Sequence, residues 1–289
     1  MQRDRPARPV RRAGPTGRAT ANVVVAVAVL YALLPLAWLL LAATKDAEAL
    51  FASRLLDFST FAFADNVRAL LAEEDGLYLT WYRNSLLYAV VGAALGALLS
   101  TAAGYVFDKF EFTGKRPLFV LVLVSVMVPG TVLALPLYLM ASQVGAVDTV
   151  WAVFVPVLFN PFGVYLARVF SAGYVPGEVL EAARVDGAGE LRSFLSVGLR
   201  MLAPGFVTIF LFQLTSIWNN FFLPLVMLSD QSLYPLSLGL YTWNSSASIF
   251  PDYYPLVVIG SLLALLPLVV AFVLLQRFWR SGLTAGSVK

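Results

Sequence analysis

The chain has 289 residues, of which 60% are hydrophobic and 13% charged, with a mean hydropathy of +0.80 and a net charge of +3. Soluble domains carry about 25% charged residues, so a chain this apolar requires a membrane as part of its solvent. It contains no Cys and no His, which excludes disulfides, His-based triads and His-ligated metals and leaves any enzyme only carboxylate, Lys, Ser or Tyr chemistry.

Residues 1–22 open the chain with Arg3, Arg5, Arg8, Arg11, Arg12 and Arg18, interleaved with Pro and lacking an apolar period. Such a stretch is expected to be a disordered basic cytoplasmic tail. It lies near anionic lipid and has no nucleic-acid partner. Six charge-free stretches follow, at 23–43, 86–107, 117–140, 149–167, 201–228 and 253–276. A bilayer core needs roughly 20 apolar residues as a helix, so each predicts a transmembrane helix. The first is longer than the roughly 7–15 apolar residues of a signal peptide and reads as an uncleaved anchor. A seventh uncharged run, 231–251, is interrupted by Tyr234-Pro235 and Asn244-Ser245-Ser246. It reads as an external loop with room for a short interfacial helix.

Basic residues set the direction, because Lys and Arg collect in cytoplasmic segments. With the amino terminus inside, 16 of the 20 basic residues fall on the inner side. The outer side keeps Lys45, Arg54, Arg68 and Arg83, all in one long first loop that also carries Asp46, Glu48, Asp57, Asp65, Glu73, Glu74 and Asp75. The expected fold is therefore an all-α integral membrane protein of the inner membrane. It has six spans and both termini in the cytoplasm.

The largest cytoplasmic segment lies between the fourth and fifth stretches, at about 175–200. Pro176 suits a helix start, and Glu178 and Glu181 then sit where the helix dipole favours acids. Val179, Ala182, Ala183 and Val185 fall largely on one side, and Gly187 breaks the helix. Leu191, Phe194, Leu195 and Val197 give a second amphipathic piece. The pattern predicts a helix–turn–helix at the inner membrane face. An interfacial helix on lipid is the plain alternative. Small residues at Ala182, Ala183 and Gly187 favour instead the close approach of another protein surface.

Glu181-Ala182-Ala183, three residues, Gly187, nine residues and Val197-x-Leu199 resemble the EAA loop of ABC-importer permeases. The run through Asp186-Gly187-Ala188 is similar to the carbohydrate-importer branch, the maltose/glycerol-phosphate type. Asn84-Ser85-Leu86, Met127-Val128-Pro129, Leu135-Pro136-Leu137 and Trp218-Asn219-Asn220-Phe221 agree with it. The tail from Gly282 to Lys289 resembles the ending of the shorter permease of a pair. Arg200 stands where the family pattern has Pro, and Pro204 lies close enough to start the next helix instead.

The resemblance implies a coupling loop, with Glu181, Ala182, Ala183, Asp186 and Gly187 docking on a cytoplasmic ABC ATPase dimer. It also implies a second homologous permease and an extracytoplasmic solute-binding protein. Thr113-Gly114-Lys115-Arg116 lacks the upstream Gly and the following hydroxyl of a phosphate loop. ATP and Mg are then bound by the partner, the chain carries no cofactor, and it is not an enzyme. The resemblance further implies half of a translocation path for a sugar.

The spans hold no formal charge, which argues against an ion-coupled secondary carrier. Gln213, Trp218, Asn219 and Asn220, with Asn160, Thr215 and Ser216, are the candidates to line a path for a hydroxylated solute. The competing role is bonding between helices. Asn160-Pro161, Pro129 and Pro136 read as helix breaks or kinks. Trp38, Trp81, Tyr82, Trp151, Tyr253, Tyr254 and Trp279 read as interface anchors. A permease for another solute, a secondary carrier and a membrane enzyme are the remaining readings.

Overall fold

The structure is a computed structural model that describes residues 15–52 and 61–285. The expectations for residues 1–14, for Arg54 and Asp57 in the outer loop, for the Trp279 side chain and for Gly286 to Lys289 lie outside the described residues.

The described elements are helices throughout. In chain order they are α1 (Pro15–Ala42), α2 (Ala47–Ala52), α3 (Phe63–Ala72), α4 (Leu77–Leu86), α5 (Gly92–Lys109), α6 (Lys115–Met127), α7 (Gly130–Gln143), α8 (Val150–Val157), α9 (Pro161–Tyr174), α10 (Gly177–Val185), α11 (Glu190–Ser193), α12 (Leu199–Met201), α13 (Ala203–Trp218), α14 (Phe222–Met227), α15 (Leu236–Ser246), α16 (Tyr253–Ala264) and α17 (Leu266–Ala285). Among the described residues, four helical stretches are long and apolar enough to cross a membrane: Gly17–Ala42, Phe63–Lys109, Val150–Tyr174 and Tyr253–Phe278. Two bent pairs raise the number to six if each pair is one span.

The stretch 117–140 is not one straight helix. α6 and α7 meet at a 108° bend. Pro129 has no N–H to continue α6 and holds Val128 extended, at φ −80° and ψ 120°. Pro136, by contrast, sits inside α7 without ending it. The stretch 201–228 is also divided. α12 and α13 meet after a 78° bend at Leu202, and α13 stops at Trp218.

The second span starts earlier than residue 86. Glu74, Asp75 and Gly76 all adopt positive φ, which kinks the chain between α3 and α4. From Leu77 the helix runs through a π-turn, Leu87–Val91, to Lys109. That path is about 50 Å long at 1.5 Å per residue, longer than the roughly 30 Å hydrocarbon core. One face of its first turns is buried in protein, at Tyr78, Trp81 and Ser85. Trp81 is 1% exposed and donates its indole N–H to the Gln231 carbonyl at 2.8 Å. It is therefore a core residue and not a lipid-facing anchor. Trp38 and Trp151 are exposed on apolar helices, as an anchor requires.

The run 231–251 is likewise more than a loop. α15 buries Leu236, Leu238, Gly239, Leu240 and Trp243. A Cβ on Gly239 would lie 2.0 Å from Trp81, so only glycine allows the indole to close on the helix. The Tyr78 hydroxyl then donates to the Gly260 carbonyl at 2.9 Å, fastening α4 to α16.

Deeper in the bundle, α5 packs through small residues. A methyl on Gly104 would sit 2.4 Å from Ala167 Cβ, and one on Gly96 would sit 1.9 Å from Gln213 Nε2. With Gly92 and Ser100 these form a four-residue repeat along α5. Small stripes of this kind let membrane helices approach closely where lipid supplies no hydrophobic drive. α5 thus lies against α9 and α13, the helices on either side of the segment 175–200.

Asp148 clasps the opposite end of the molecule, at φ 59°. Its Oδ1 accepts from the N–H groups of Ser229 at 2.7 Å and Asp230 at 2.9 Å. These two donors hold the carboxyl below the usual carboxylate range.

Candidate functional site

The segment between α9 and α13 builds a compact bracket. Pro176 caps α10 in an extended conformation, so the helix begins at Gly177. α10 ends in paired bonds, Gly187 N–H to the Arg184 carbonyl at 3.0 Å and Ala188 N–H to the Ala183 carbonyl at 2.9 Å. This is the Schellman arrangement, which needs a left-handed residue after the helix. Gly187 supplies it at φ 80°. A Cβ there would meet nothing within 4 Å, so the backbone, not space, demands glycine.

Across the turn the Arg184 guanidinium forks onto Glu190, with Nε–Oε1 at 2.8 Å and Nη2–Oε2 at 3.2 Å. That hydrogen bond, with the positive charge behind it, holds the Glu190 carboxyl low and raises the arginine.

The bracket is seated by Leu180 and Phe194, which are buried with Tyr105, Val175 and Leu202. The apolar pattern pointed to Val179, Ala182, Ala183 and Val185 as one side, and it missed Leu180. Val185 and Leu191 instead point away, 87% and 71% exposed. Glu181, Ala182, Asp186 and Gly187 are also exposed, and Ala183 is half-buried. Four of the five residues singled out from sequence are therefore exposed along α10 and the turn that follows it, near two bare apolar side chains.

A polar joint fixes the bracket to the bundle. Lys109 Nζ donates to the Val175 carbonyl and pairs with Asp108 Oδ2 at 2.8 Å. The Ser171 hydroxyl donates to the same carboxylate oxygen at 2.7 Å. The ends of α5 and α9 are tied together just before α10 starts. Sequence reasoning passed over this joint, although the adjacent opposite charges of Asp108 and Lys109 at a span end were its signal. Arg200 is exposed in α12, and Pro204 lies in the first turn of α13. The helix start displaced from residue 200 is found there.

A second feature is a groove of about 480 Å³ between α6, α9 and α13. Ser125, Asn160, Gln213, Ser216 and Asn220 give it polar groups, and Phe159, Phe162 and Phe212 line it as well. Asn160 caps α9, its Oδ1 accepting from Gly163 N–H at 2.9 Å. Its amide donates to Gln213 Oε1 at 3.2 Å, and Gln213 Nε2 donates to the Val157 carbonyl at 2.7 Å. Gln213 thereby satisfies the carbonyl freed where the chain breaks between α8 and α9. Trp218 is buried against Tyr82, edge to face at 5.9 Å, on another side of α13. Asn219 is exposed and folds back to the Thr215 carbonyl at 2.8 Å. Thr215 bonds its own helix. The groove thus gathers Asn160, Gln213, Ser216 and Asn220 but neither Trp218 nor Asn219.

The model of the family described as binding-protein-dependent transport system inner membrane component matches residues 94–283. The arabinooligosaccharides transport system permease protein AraQ of Halalkalibacterium halodurans is 34% identical, over 75% of this chain and 76% of that protein. The maltodextrin transport system permease protein MdxG of Bacillus subtilis is 32% identical, over 81% and 83%. The lactose transport system permease protein LacG of Rhizobium radiobacter is 29% identical, over 92% and 94%. Among solved structures, a chain of a bacterial ABC transporter involved in the import of the acidic polysaccharide alginate superposes with a TM-score of 0.76. It is 20% identical, and the match covers 93% of this chain and 99% of that one, which establishes a shared fold. The chain belongs to the inner membrane components of binding-protein-dependent transport systems.

Proposed function

We propose that the chain is the permease subunit of an ATP-driven importer and forms half of the translocation path for a sugar delivered by an external binding protein. The similar proteins named for arabinooligosaccharide, maltodextrin and lactose transport support the substrate class. The polar groove with aromatic walls suits a neutral hydroxylated solute. Its open side is where a second, homologous permease would complete the path.

The observation that carries the mechanism is the bracket at 175–200, rigid within itself yet bare on its outer side. An ATPase subunit docks on Glu181, Ala182, Asp186 and Gly187, with Ala183 beneath. Val185 and Leu191 supply the apolar contact that such a dock buries. ATP and Mg stay on the ATPase. Closure of the ATPase dimer pushes the bracket, and the Asp108–Lys109–Ser171 joint transmits that push to α5 and α9 together. The groove then changes its access from one membrane side to the other.

Six spans with both termini cytoplasmic belong to the same reading. Helix pairing supports the crossings, since the Asp148 clasp and the Trp81 bond gather residues 148, 229–231 and 81 at one end. The bond from Lys109 gathers 109 and 175 at the other.

The test is ATP-dependent sugar uptake by the assembled transporter carrying Glu181→Lys or Gly187→Asp. Both variants are expected to insert normally and to lose uptake together with ATPase co-purification. Uptake retained by both would reject the docking role.

A further inference from the structure

A groove of about 520 Å³ opens between the end of α5, the start of α6 and α9, away from the polar groove. Its floor is aromatic. Phe107 packs on Phe112 and Phe119 at centroid separations of 5.8 and 5.3 Å. Its rim carries Lys115, Arg116 and Arg168. Glu111 is the one acid beside them, and it engages Lys115 at 2.8 Å. Among the described residues neither Arg116 nor Arg168 forms an ion pair. Arg168 rests 4.0 Å from the centre of the Phe119 ring. Beyond the rim, Val120, Leu121 and Val124 stand exposed along the part of α6 that follows Arg116, which carries no charge.

We propose that this groove holds the headgroup of an anionic phospholipid from the cytoplasmic leaflet, with an acyl chain lying along α6. The charge pattern requires an anion. Lys115 and Arg116 occupy the first turn of α6, where the helix dipole disfavours cations, and a phosphate beside them satisfies both the cations and the dipole. Basic pockets between helices at the cytoplasmic membrane face suit lipid headgroups. An acidic protein segment would match the arginines but not the apolar track that continues from them into the span. The orientation proposed above places the groove at the inner leaflet, and the lipid assignment rests on that orientation.

Native mass spectrometry of the full purified chain, taken from nanodiscs of phosphatidylcholine with phosphatidylglycerol, reads the retained anionic lipid directly. A basic residue near the membrane surface is worth about fivefold in lipid affinity, so Arg116→Gln with Arg168→Gln is expected to weaken phosphatidylglycerol retention by about 25-fold. Arg192→Gln with Arg200→Gln removes the same charge elsewhere on that side and is expected to leave retention unchanged. Phe119→Leu keeps every charge but removes the ring under Arg168, and an intermediate loss is expected. An equal fall in both arginine pairs, or no fall in either, overturns the proposal in favour of diffuse surface charge. Displacement of the lipid by inorganic phosphate alone reassigns the groove to a soluble anion. Protection of the groove only when the ATPase is added reassigns it to a protein contact. Labelling of Thr113→Cys from the external side would sink the orientation instead, whatever lipid is retained.

Discussion

At Gly187 a single backbone angle decides whether the bracket closes. A side chain at φ 80° costs roughly 1–2 kcal/mol for an L-residue other than Asn or Asp. Gly187→Ala is therefore expected to loosen the turn by about 1 kcal/mol, seen as faster amide hydrogen exchange at Gly187 and Ala188, and Gly187→Asn is expected to loosen it less. Equal exchange in the Ala and Asn variants would mean that the backbone angle at residue 187 does not limit the turn. Gln213 poses the opposite problem, since its amide is buried and hydrogen-bonded at both its oxygen and its nitrogen. Gln213→Leu strands the Val157 carbonyl and one Asn160 N–H. Interhelical hydrogen bonds in membranes average about 0.6 kcal/mol each, so a loss of roughly 1 kcal/mol is expected in the detergent unfolding transition. A drop in uptake at unchanged stability would assign Gln213 to the solute instead of the scaffold.

Among the elements, the bracket was the most legible from sequence, because Pro176 and Gly187 punctuate it with residues that act through backbone geometry alone. Leu180 escaped notice because burial by a distant Tyr105 leaves no local period. The run 231–251, read as a loop with room for a short helix, was legible only in part. Tyr234-Pro235 and Asn244-Ser245-Ser246 resemble loop breakers, yet Pro235 caps α15 and Asn244 to Ser246 form its last turn, so they mark the ends of a helix. The Arg184–Glu190 fork gives the bracket a defined pH response. The Glu190 carboxyl is held low in the folded protein. Its contribution is therefore fully present above the unfolded carboxylate value of about 4.3 and is lost as pH falls through the folded value. Bracket order, read by hydrogen exchange, is expected to stay level from neutral pH down to about 5 and to fall only below about 4.3. Glu190→Gln should remove that acid step. An acid step that survives in Glu190→Gln would assign it to another carboxylate.

Across the whole molecule, counting charge-free residues fixed the number of apolar stretches but not their course, since length says nothing of direction. The stretch 117–140 shows the gap, for a 108° bend is compatible with a broken span or a re-entrant loop. Hydrogen bonds far apart in sequence discriminate between them. Trp81 and Lys109 lie at opposite ends of one continuous helical path. Lys109 is bonded to residue 175, whereas Trp81 is bonded to residue 231, next to the segment that Asp148 holds. The chain leaves α5 at the Lys109 end and reaches Asp148 at the Trp81 end, and α6 and α7 are what connects them. The far end of α1 meets Asn66 of α3 through the Ala43 and Lys45 carbonyls. These bonds are independent of the basic-residue bias; they show which residues share an end of the bundle, not which end faces the cytoplasm. The chain has no native cysteine, so single-cysteine variants can test the orientation cleanly with a membrane-impermeant thiol reagent. Thr113→Cys and Asp186→Cys are expected to label only from the cytoplasmic side of sealed vesicles, and Ser142→Cys and Ser245→Cys only from the other. Labelling of Ser142→Cys from the same side as Thr113→Cys would make α6 and α7 a re-entrant pair, leave an odd number of crossings, and put the two termini on opposite sides of the membrane.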